Sequence, residues 1–344
     1  MELTKRKLYN VEAPNRGNSI LRGEFSGVVN WNDLNHNWVY HKYETMKQNF
    51  WNPREISMAN DRKQWNTLSE EEKRAFRYII GQLASLDSIQ AEYCNQAKEY
   101  IHDPSISHAI GTIEFQEVLH NESYSYIFQS LPIPFEESNK VFDLWRKDEV
   151  LKERNKLLFE VYKEFIESKT VENFLKSLIA DIILEGLYFY SGFAYFYNLK
   201  RHGLMDGTYQ MVQYINRDEH IHVGFFAQLF KEITREEGVN IKELEPFAHE
   251  LFKKASELEV KWSKYGIGQR AYRNVTLEEV EGYIKFYTDY RLKQLGFKPL
   301  YNQKTNPLKW ISQMTAINKG KVDFFESKSR TYTKVNDING FDEL

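Results

Sequence analysis

The sequence predicts an all-α protein built from long helices, and three observations lead to this fold class. Only 8 Pro and 17 Gly interrupt the 344 residues. Apolar residues recur at helical spacing along most of the chain, whereas strand-like alternation is scarce. Two Glu-x-x-His sequences, Glu117 to His120 and Glu219 to His222, lie on two such stretches. Each of them puts one carboxylate and one imidazole on the same face of a helix.

Composition limits the class of function. The formal charge of −3 gives no reason to expect binding to nucleic acid or to an anionic membrane. The single cysteine, Cys94, excludes an internal disulfide framework and fits the cytoplasm. The polar N-terminus has no secretory signal, and no run of about 18 apolar residues predicts a membrane span.

The helices can be assigned in order from their start and stop signals. Pro53 ends the first helix, the Ser69 to Glu72 capping box opens the second, and Pro104 opens the third. The predicted helices cover residues 36–51, 69–100, 104–131, 136–168, 171–199, a stretch through 211–226, 241–265 and 276–295. We therefore expect an irregular N-terminal arm over 1–35, one helical domain over 36–320 and a flexible tail over 321–344.

Six chemically reactive side chains fall on the apolar stripes of these helices instead of on their polar faces. They are Asp87, Glu117, His120, Glu185, Glu219 and His222. A carboxylate in a protein core costs several kcal/mol unless it is paired or bound to a metal. Two divalent cations would balance four carboxylates, so the pattern predicts a dinuclear centre. Mixed oxygen and nitrogen ligands suit iron or manganese.

Tyr124 lies one helical turn beyond His120 on the same face, so its phenol is expected near the metals. Phe189, Phe193 and Ile215 are spaced by helical turns from the ligand positions and would wall this region with hydrocarbon. Such a shell would keep water and reductants away from an oxidised tyrosine. The sequence thus predicts a tyrosyl radical at Tyr124.

At these residues the chain resembles the radical-generating small subunit of class I ribonucleotide reductase, within the ferritin-like di-metal carboxylate bundles. The motifs that carry the resemblance are Leu86 to Gln90, Glu117-x-x-His120-x-x-Ser123-Tyr124, Glu185 with Phe189 to Phe193, Arg217-Asp218-Glu219-x-x-His222, Phe50-Trp51-x-Pro53, Asn306-Pro307 to Trp310, and Asp323 to Phe325. Three residues depart from the family pattern: Ala91, Gln116 and Lys309.

The resemblance implies a role for each of these positions. Asp87, Glu117 and His120 would bind one metal, and Glu185, Glu219 and His222 the other, with Glu117 and Glu219 bridging. Di-iron is the first expectation, and di-manganese or a mixed Mn/Fe pair would use the same ligands. Trp51 and Asp218 would link His120 towards the surface as an electron and proton route.

The resemblance also implies partners. Tyr332 in the tail would relay the oxidising equivalent to a separate large subunit, which holds the nucleotide site. Gly340 to Leu344 would dock on that subunit, folding as it binds. A homodimer is implied, together with a flavodoxin-like activase if the metal is manganese.

Two other functions fit a ferritin-like bundle. A di-metal oxidase or oxygenase of the same class, including the ligand-binding oxidases, usually has Glu at the position of Asp87 and lacks a counterpart of Tyr124. Iron storage is the non-catalytic alternative, but storage proteins of this fold are usually much shorter than 344 residues.

Overall fold

The computed structural model describes residues 2–317, and the regular structure in this range is helical, apart from one isolated antiparallel bridge between Glu2 and Thr170. The α-helices are α1 Asn37–Gln48, α2 Ala59–Gln64, α3 Glu70–Ala97, α4 Pro104–Ser130, α5 Phe135–Val141, α6 Leu144–Lys147, α7 Glu149–Glu167, α8 Val171–Ile183, α9 Tyr190–Arg201, α10 Asp206–Glu236, α11 Ile241–Trp262, α12 Leu277–Leu295 and α13 Lys309–Ile317. Short 3₁₀ turns cover Pro53–Glu55, Trp65–Thr67 and Lys98–Tyr100, and π-helical turns cover Leu184–Tyr188 and Ser263–Ile267. The all-α prediction is therefore confirmed for the described residues.

Local start signals were reliable guides to where helices begin. The Ser69 side chain accepts a hydrogen bond from the Glu72 amide, and the Glu72 carboxylate accepts one from the Ser69 amide, so the capping box is confirmed. The start of α4 at Pro104 is also confirmed, with Asp103 as its N-cap. Such reciprocal caps satisfy the amides that the first helical turn leaves without partners.

Three of the predictions about the positions of helices are wrong. The long charged helix expected over 136–168 is broken into α5, α6 and α7, and at the second break Asp148 leaves the helical conformation and caps α7 through the amides of Val150 and Leu151. The first helix ends at Gln48 and not at Trp51. The segment after Tyr301, expected to be irregular, contains α13.

The helices α3, α4, α8 and α10 form the centre of the bundle. Helix α3 packs along α4, and α10 packs against both α4 and α8, while α7, α11 and α12 cover the outside. The stretch Val171–Arg201 is long enough to cross a membrane and contains an 18-residue window with a mean hydropathy of 1.2, but every residue of that window is buried inside the protein. It is the central apolar strip of the bundle core.

The N-terminal arm, residues 2–35, has little regular structure but is fixed to the bundle by specific bonds. The Leu3 amide donates to the Lys169 carbonyl, and the His102 amide donates to the Ile20 carbonyl. His36 then joins the end of the arm to two helices, since its Nδ1 lies 2.8 Å from Asp103 Oδ2 and its Nε2 lies 2.9 Å from Glu236 Oε1.

The chain divides into two units, Met1–Pro307 and Leu308–Leu344. The described part of the second unit consists of α13 and the residue before it. Tyr332 and the proposed docking peptide Gly340 to Leu344 lie outside the described residues.

Candidate metal centre

Four helical segments bring the six predicted ligands to one point in the core. Asp87 comes from α3, Glu117 and His120 from α4, Glu185 from the π turn that follows α8, and Glu219 and His222 from α10. All six side chains are fully buried. Within each Glu-x-x-His sequence the two side chains lie on one helix face, as the spacing of three requires.

The six residues form two overlapping groups, each able to hold one cation. The first group is Asp87, Glu117, His120 and Glu219, and the second is Glu117, Glu185, Glu219 and His222; within each, one donor atom per residue lies within 4.8 Å of the others. Glu117 and Glu219 belong to both groups, so the geometry is that of two adjacent sites with shared carboxylates. Oxygen-rich sites with one imidazole each suit iron and manganese.

The donor atoms that face the middle of this cluster have no directed hydrogen bond. This holds for both oxygens of Asp87, Glu117 and Glu219, for Oε2 of Glu185, and for Nδ1 of His120 and His222. The His222 Nδ1 lies 2.9 Å from Glu117 Oε1, and the His120 Nδ1 lies 3.1 Å from Glu219 Oε1. Buried polar atoms are otherwise almost always bonded, so this group of unbonded donors fits a site for cations.

The outward nitrogens of the two imidazoles explain why Nδ1 faces inward. His120 Nε2 lies 3.3 Å from Asp218 Oδ2, and His222 Nε2 lies 3.0 Å from Gln116 Oε1. A carboxylate and an amide oxygen can only accept hydrogen bonds, so in each ring Nε2 carries the proton. The Nδ1 lone pair is then free to bind a metal.

Burial and mutual repulsion dominate the electrostatics of the cluster. Burial, together with the charges of Glu117 and Glu219, raises the pKa of Asp87 well above its usual range. Burial also acts to raise the pKa of Glu117, but its contacts with His120 and His222 lower it to about 2. Burial acts to lower the pKa of His222, but its contacts with Glu117 and Glu219 raise it to about 9. Bound protons and the positive charge of the imidazoles thus balance carboxylate charge that divalent cations would otherwise neutralise.

Tyr124 and the predicted apolar wall are all buried. The Tyr124 hydroxyl lies beside the Asp87 carboxylate without a well-directed hydrogen bond, and burial, with the charge of Asp87, raises its pKa well above the usual value. Phe189 and Phe193 have ring centroids 5.7 Å apart, and Ile215 is fully buried on α10.

Trp51 lies outside the cluster and is connected to it through Asp218. Its indole Nε1 donates to Asp218 Oδ2 at 2.9 Å, and its ring centroid lies 6.2 Å from that of His120. Asp218 therefore accepts from both Trp51 and His120. Arg217, which is partly exposed, donates to the other Asp218 oxygen at 3.2 Å.

Sequence reasoning missed a second ring of polar residues around Glu185. The Gln90 amide donates to Asp181 Oδ1 at 2.5 Å and also to Glu185, and its oxygen accepts from the Tyr162 hydroxyl at 2.9 Å. Asp181 lies one helical turn before Glu185 within an apolar stretch, so its spacing was an available signal. Gln116 departs from the family pattern in sequence, and in the structure its side-chain oxygen accepts a hydrogen bond from His222.

The chain is similar in sequence to known proteins over its whole length. Residues 28–307 match the family described as "Ribonucleotide reductase, small chain". The ribonucleoside-diphosphate reductase subunit beta of Halalkalibacterium halodurans is 46% identical over 345 aligned positions, covering 100% of this chain and 99% of the relative.

Solved structures give the same result for the fold. The putative class I ribonucleotide reductase from Bacillus halodurans has a TM-score of 0.85 at 44% identity, covering 90% of this chain and 99% of that one. The ribonucleotide reductase R2 subunit from Clostridium botulinum has a TM-score of 0.87 at 35% identity, covering 92% of this chain and 99% of that one.

Proposed function

The chain belongs to the ribonucleotide reductase small-chain family, and from this premise we propose that it assembles a dinuclear metal centre and a tyrosyl radical at Tyr124. It is a small subunit of class I ribonucleoside-diphosphate reductase with the ferritin-like fold of that family. Its function requires a large subunit, to which it delivers an oxidising equivalent for the reduction of ribonucleotides to deoxyribonucleotides.

One observation carries the proposal for the metal centre: two donor groups share Glu117 and Glu219, and both imidazole Nδ1 atoms face inward. Asp87 and His120 would complete one metal site, and Glu185 and His222 the other. When bound, the metal pair would supply the oxidising power that comes from dioxygen or a reduced oxygen species. Di-iron is our first choice, and di-manganese or Mn/Fe would use the same donors.

Tyr124 would lose one electron and its phenolic proton in this reaction. When a bound metal holds Asp87 in its ionised form, this carboxylate beside the hydroxyl would be the base that receives the proton. Tyr124 is fully buried, as are Phe189, Phe193 and Ile215, and this burial would keep solvent reductants away from the phenoxyl group. This protection is the reason why a radical could persist at this residue.

We further propose that the oxidising equivalent leaves through His120, Asp218 and Trp51. The hydrogen bonds that join these three residues form a continuous path from the cluster to the buried side chain of Trp51. Asp218 would hold the proton that accompanies the electron, because its Oδ2 accepts from both neighbours. Tyr332 would continue the path to the large subunit.

A homodimer in the cytoplasm is the proposed state of the protein, and an exposed apolar cluster supports the dimer. Phe50, Phe115 and Val118 are 59%, 51% and 56% exposed, and the two phenylalanine rings lie 6.2 Å apart. Burying such a patch against a second copy would remove apolar surface from water. A flavodoxin-like activase is an additional partner if the metal is manganese.

The alternative of a di-metal oxidase or oxygenase is not favoured. Position 87 is Asp, and Tyr124 is present and buried beside it. Residues 28–307 also match the reductase small-chain family, which accounts for most of the chain.

Electron paramagnetic resonance tests the radical assignment. Metal-free protein is loaded with Fe(II) or with Mn(II) and exposed to air, and the wild type is expected to give a tyrosyl signal. Tyr124→Phe should lose that signal while binding the same amount of metal. Tyr93→Phe is the control, because Tyr93 is an equally buried phenol whose hydroxyl pairs with Ser177. The same radical in Tyr124→Phe would refute the assignment.

A truncation tests the proposed docking tail. Deleting the residues after Asp337 should abolish turnover with the large subunit and leave the radical of the isolated chain intact. A truncated chain that still supports full turnover would show that the tail does not dock. The residues concerned lie outside the described part of the structure, so this proposal rests on the family alone.

A further inference from the structure

Glu185 lies on a segment of backbone that departs from regular α-helical hydrogen bonding. It lies in the π-helical turn Leu184–Tyr188, which joins α8 to Phe189 and α9. A π turn replaces the regular bonds of an α-helix with longer i to i+5 bonds, and such turns are rare and often lie at functional sites. Because a helix with regular bonding would rotate Glu185 away from its present direction, whatever fixes this turn also fixes the carboxylate.

Two buried arginines from other helices bond to carbonyl groups of this turn. Arg291 of α12 donates from Nε to the Gly186 carbonyl at 3.1 Å, and Arg154 of α7 donates from Nη2 to the Tyr188 carbonyl at 2.6 Å. Both side chains are fully buried. Arginine offers several donors in a rigid fork, which makes it suited to fixing carbonyl groups in a chosen geometry.

The two arginines differ in how their charge is balanced. Arg154 pairs with the buried carboxylate of Glu259, with Nε 2.7 Å from Oε2. Arg291 has no carboxylate partner among the described residues. It donates instead to the Tyr190 hydroxyl at 2.6 Å and lies 5.2 Å from the ring centroid of Tyr290. A buried cation without an acid partner is costly, so Arg291 calls for an explanation beyond packing.

The absence of a side chain at Gly186 leaves the space that the Arg291 side chain occupies. A Cβ atom on Gly186 would lie 2.5 Å from Arg291 Nε and 3.0 Å from its Cδ. Glycine is a much poorer helix former than alanine, so its presence in a buried helical turn needs a reason. Here the missing side chain is what lets the guanidinium reach the carbonyl next to Glu185.

We propose that Arg291 is a positioning residue for the metal centre. It fixes the π turn through the Gly186 carbonyl, so that the Glu185 carboxylate is directed at the site that also contains His222. Arg154 supports the other end of the turn through Tyr188. The inference rests on the proposed metal-binding function, because it assigns a support to one of the proposed ligands.

Manganese binding to the metal-free, full-length protein tests this role without any measurement of activity. Bound Mn(II) is counted from the loss of the six-line resonance of the free ion, and a magnetically coupled pair gives its own spectrum. The wild type should bind two ions per chain as a coupled pair. Arg291→Met should weaken one of the two sites by about 10- to 100-fold, the range seen when support of a ligand is removed. The coupled spectrum should give way to that of an isolated ion.

Two further variants separate positioning from a general loss of stability. Gly186→Ala should reproduce the loss of coupling while keeping the arginine, because its methyl group displaces Nε. Arg291→Lys should restore part of the binding, since an ammonium can still donate to one carbonyl. Arg273→Met, which removes a peripheral ion pair with Glu72, is the control and should bind two coupled ions.

The results distinguish this inference from the function on which it rests. If the wild type fails to bind a coupled pair, the metal centre itself is wrong, and the positioning role falls with it. If the wild type binds the pair and both Arg291→Met and Gly186→Ala bind it with unchanged affinity and spectrum, the metal centre stands and the role of Arg291 is rejected. Gly186→Ala and Arg291→Lys still decide the question if Arg291→Met does not fold.

Discussion

At the scale of single residues, the direction of each imidazole is set by a neighbour outside the proposed ligand set. His120 donates to a carboxylate, Asp218, whereas His222 donates to a neutral amide, Gln116. An anionic acceptor makes the imidazole a stronger electron donor to a metal than a neutral one does. The two metal positions should therefore differ electronically although each has one histidine.

Gln116 provides a direct test of this asymmetry. Gln116→Leu removes the oxygen that accepts a hydrogen bond from His222 Nε2 and allows the ring to change its tautomer or direction. We expect the site containing His222 to lose about 10- to 100-fold in metal affinity, as is usual when such a partner is removed. The measurement is metal titration followed by spectroscopy of the bound ions.

The matched control for Gln116 is Gln129→Leu, the same change at an exposed position of α4. It should leave both metal sites at the affinity of the wild type. Equal affinities in Gln116→Leu and Gln129→Leu would mean that Gln116 does not orient His222. A fall in both would instead point to a general effect on α4.

The residues that sequence could identify are those with a pattern along the chain. Glu117 with His120 and Glu219 with His222 repeat a local spacing, and Tyr124 follows by one turn. Gln90 and Gln116 carry no comparable signal, because a glutamine on a helix has no chemistry until its neighbour in space is known. Their partners Glu185 and His222 lie 95 and 106 residues away in sequence.

At the scale of helices and turns, the same division between local and distant causes applies. The capping box of α3 is encoded within four residues, so sequence predicted it. Helix α10 starts differently, because Met205 has a positive φ of 56° and provides no cap. Its first amides, from Gly207 and Thr208, are bonded by Asp61 of α2, which no local pattern reveals. The π turn at Glu185 is likewise hidden, since its apolar residues fit an ordinary helix.

The contact of the arm with the bundle at His36 predicts a pH dependence of stability. Burial acts to lower the pKa of His36, but its hydrogen bonds with Asp103 and Glu236 raise it above 6.5. The ion pairs therefore contribute fully below about pH 6.5 and are lost as pH rises through the higher pKa of the folded state. Burial acts to raise the pKa of Asp103, but its bonds with His36 and Ser105 lower it below 3.8, and this group sets the acid limit of the window.

The measurement is the free energy of unfolding of wild type and His36→Gln, by denaturant titration at several pH values. The wild type should be more stable by about 2 kcal/mol near pH 5.5, the usual worth of a hydrogen bond to a charged group. The difference should shrink in alkaline solution. The groups facing His36 are Asp103 and Glu236, with Arg6 near the first and Arg235 4.0 Å from the second. A difference that stays constant with pH would contradict the assignment.

At the scale of the whole molecule, the fold keeps a group of acids in its interior while the chain as a whole carries almost no net charge. The formal charge of −3 over 344 residues gives no hint of this concentration. The carboxylates of Asp87, Glu117, Glu185 and Glu219 are all fully buried, and only two imidazoles share the cluster with them. Sequence could predict the four-helix centre that holds them because the apolar stripes run through the ligands. It could not predict the break before the covering helix α7, which depends on capping by the single side chain of Asp148.

A bundle with this interior should depend on metal for much of its stability. A cation that binds only the folded state stabilises it by RT ln(1 + [L]/Kd), which is about 2.7 kcal/mol per site at a hundred times Kd. Saturating Mn(II) should therefore raise the free energy of unfolding of the metal-free protein, and a chelator should reverse the change. Glu117→Ala is the informative variant, because Glu117 belongs to both donor groups and its loss should remove most of the response to metal. Asn121→Ala, a partly buried change on the same helix away from the donors, should respond as the wild type does. If metal stabilised Glu117→Ala as strongly as the wild type, the ions would be binding elsewhere in the molecule.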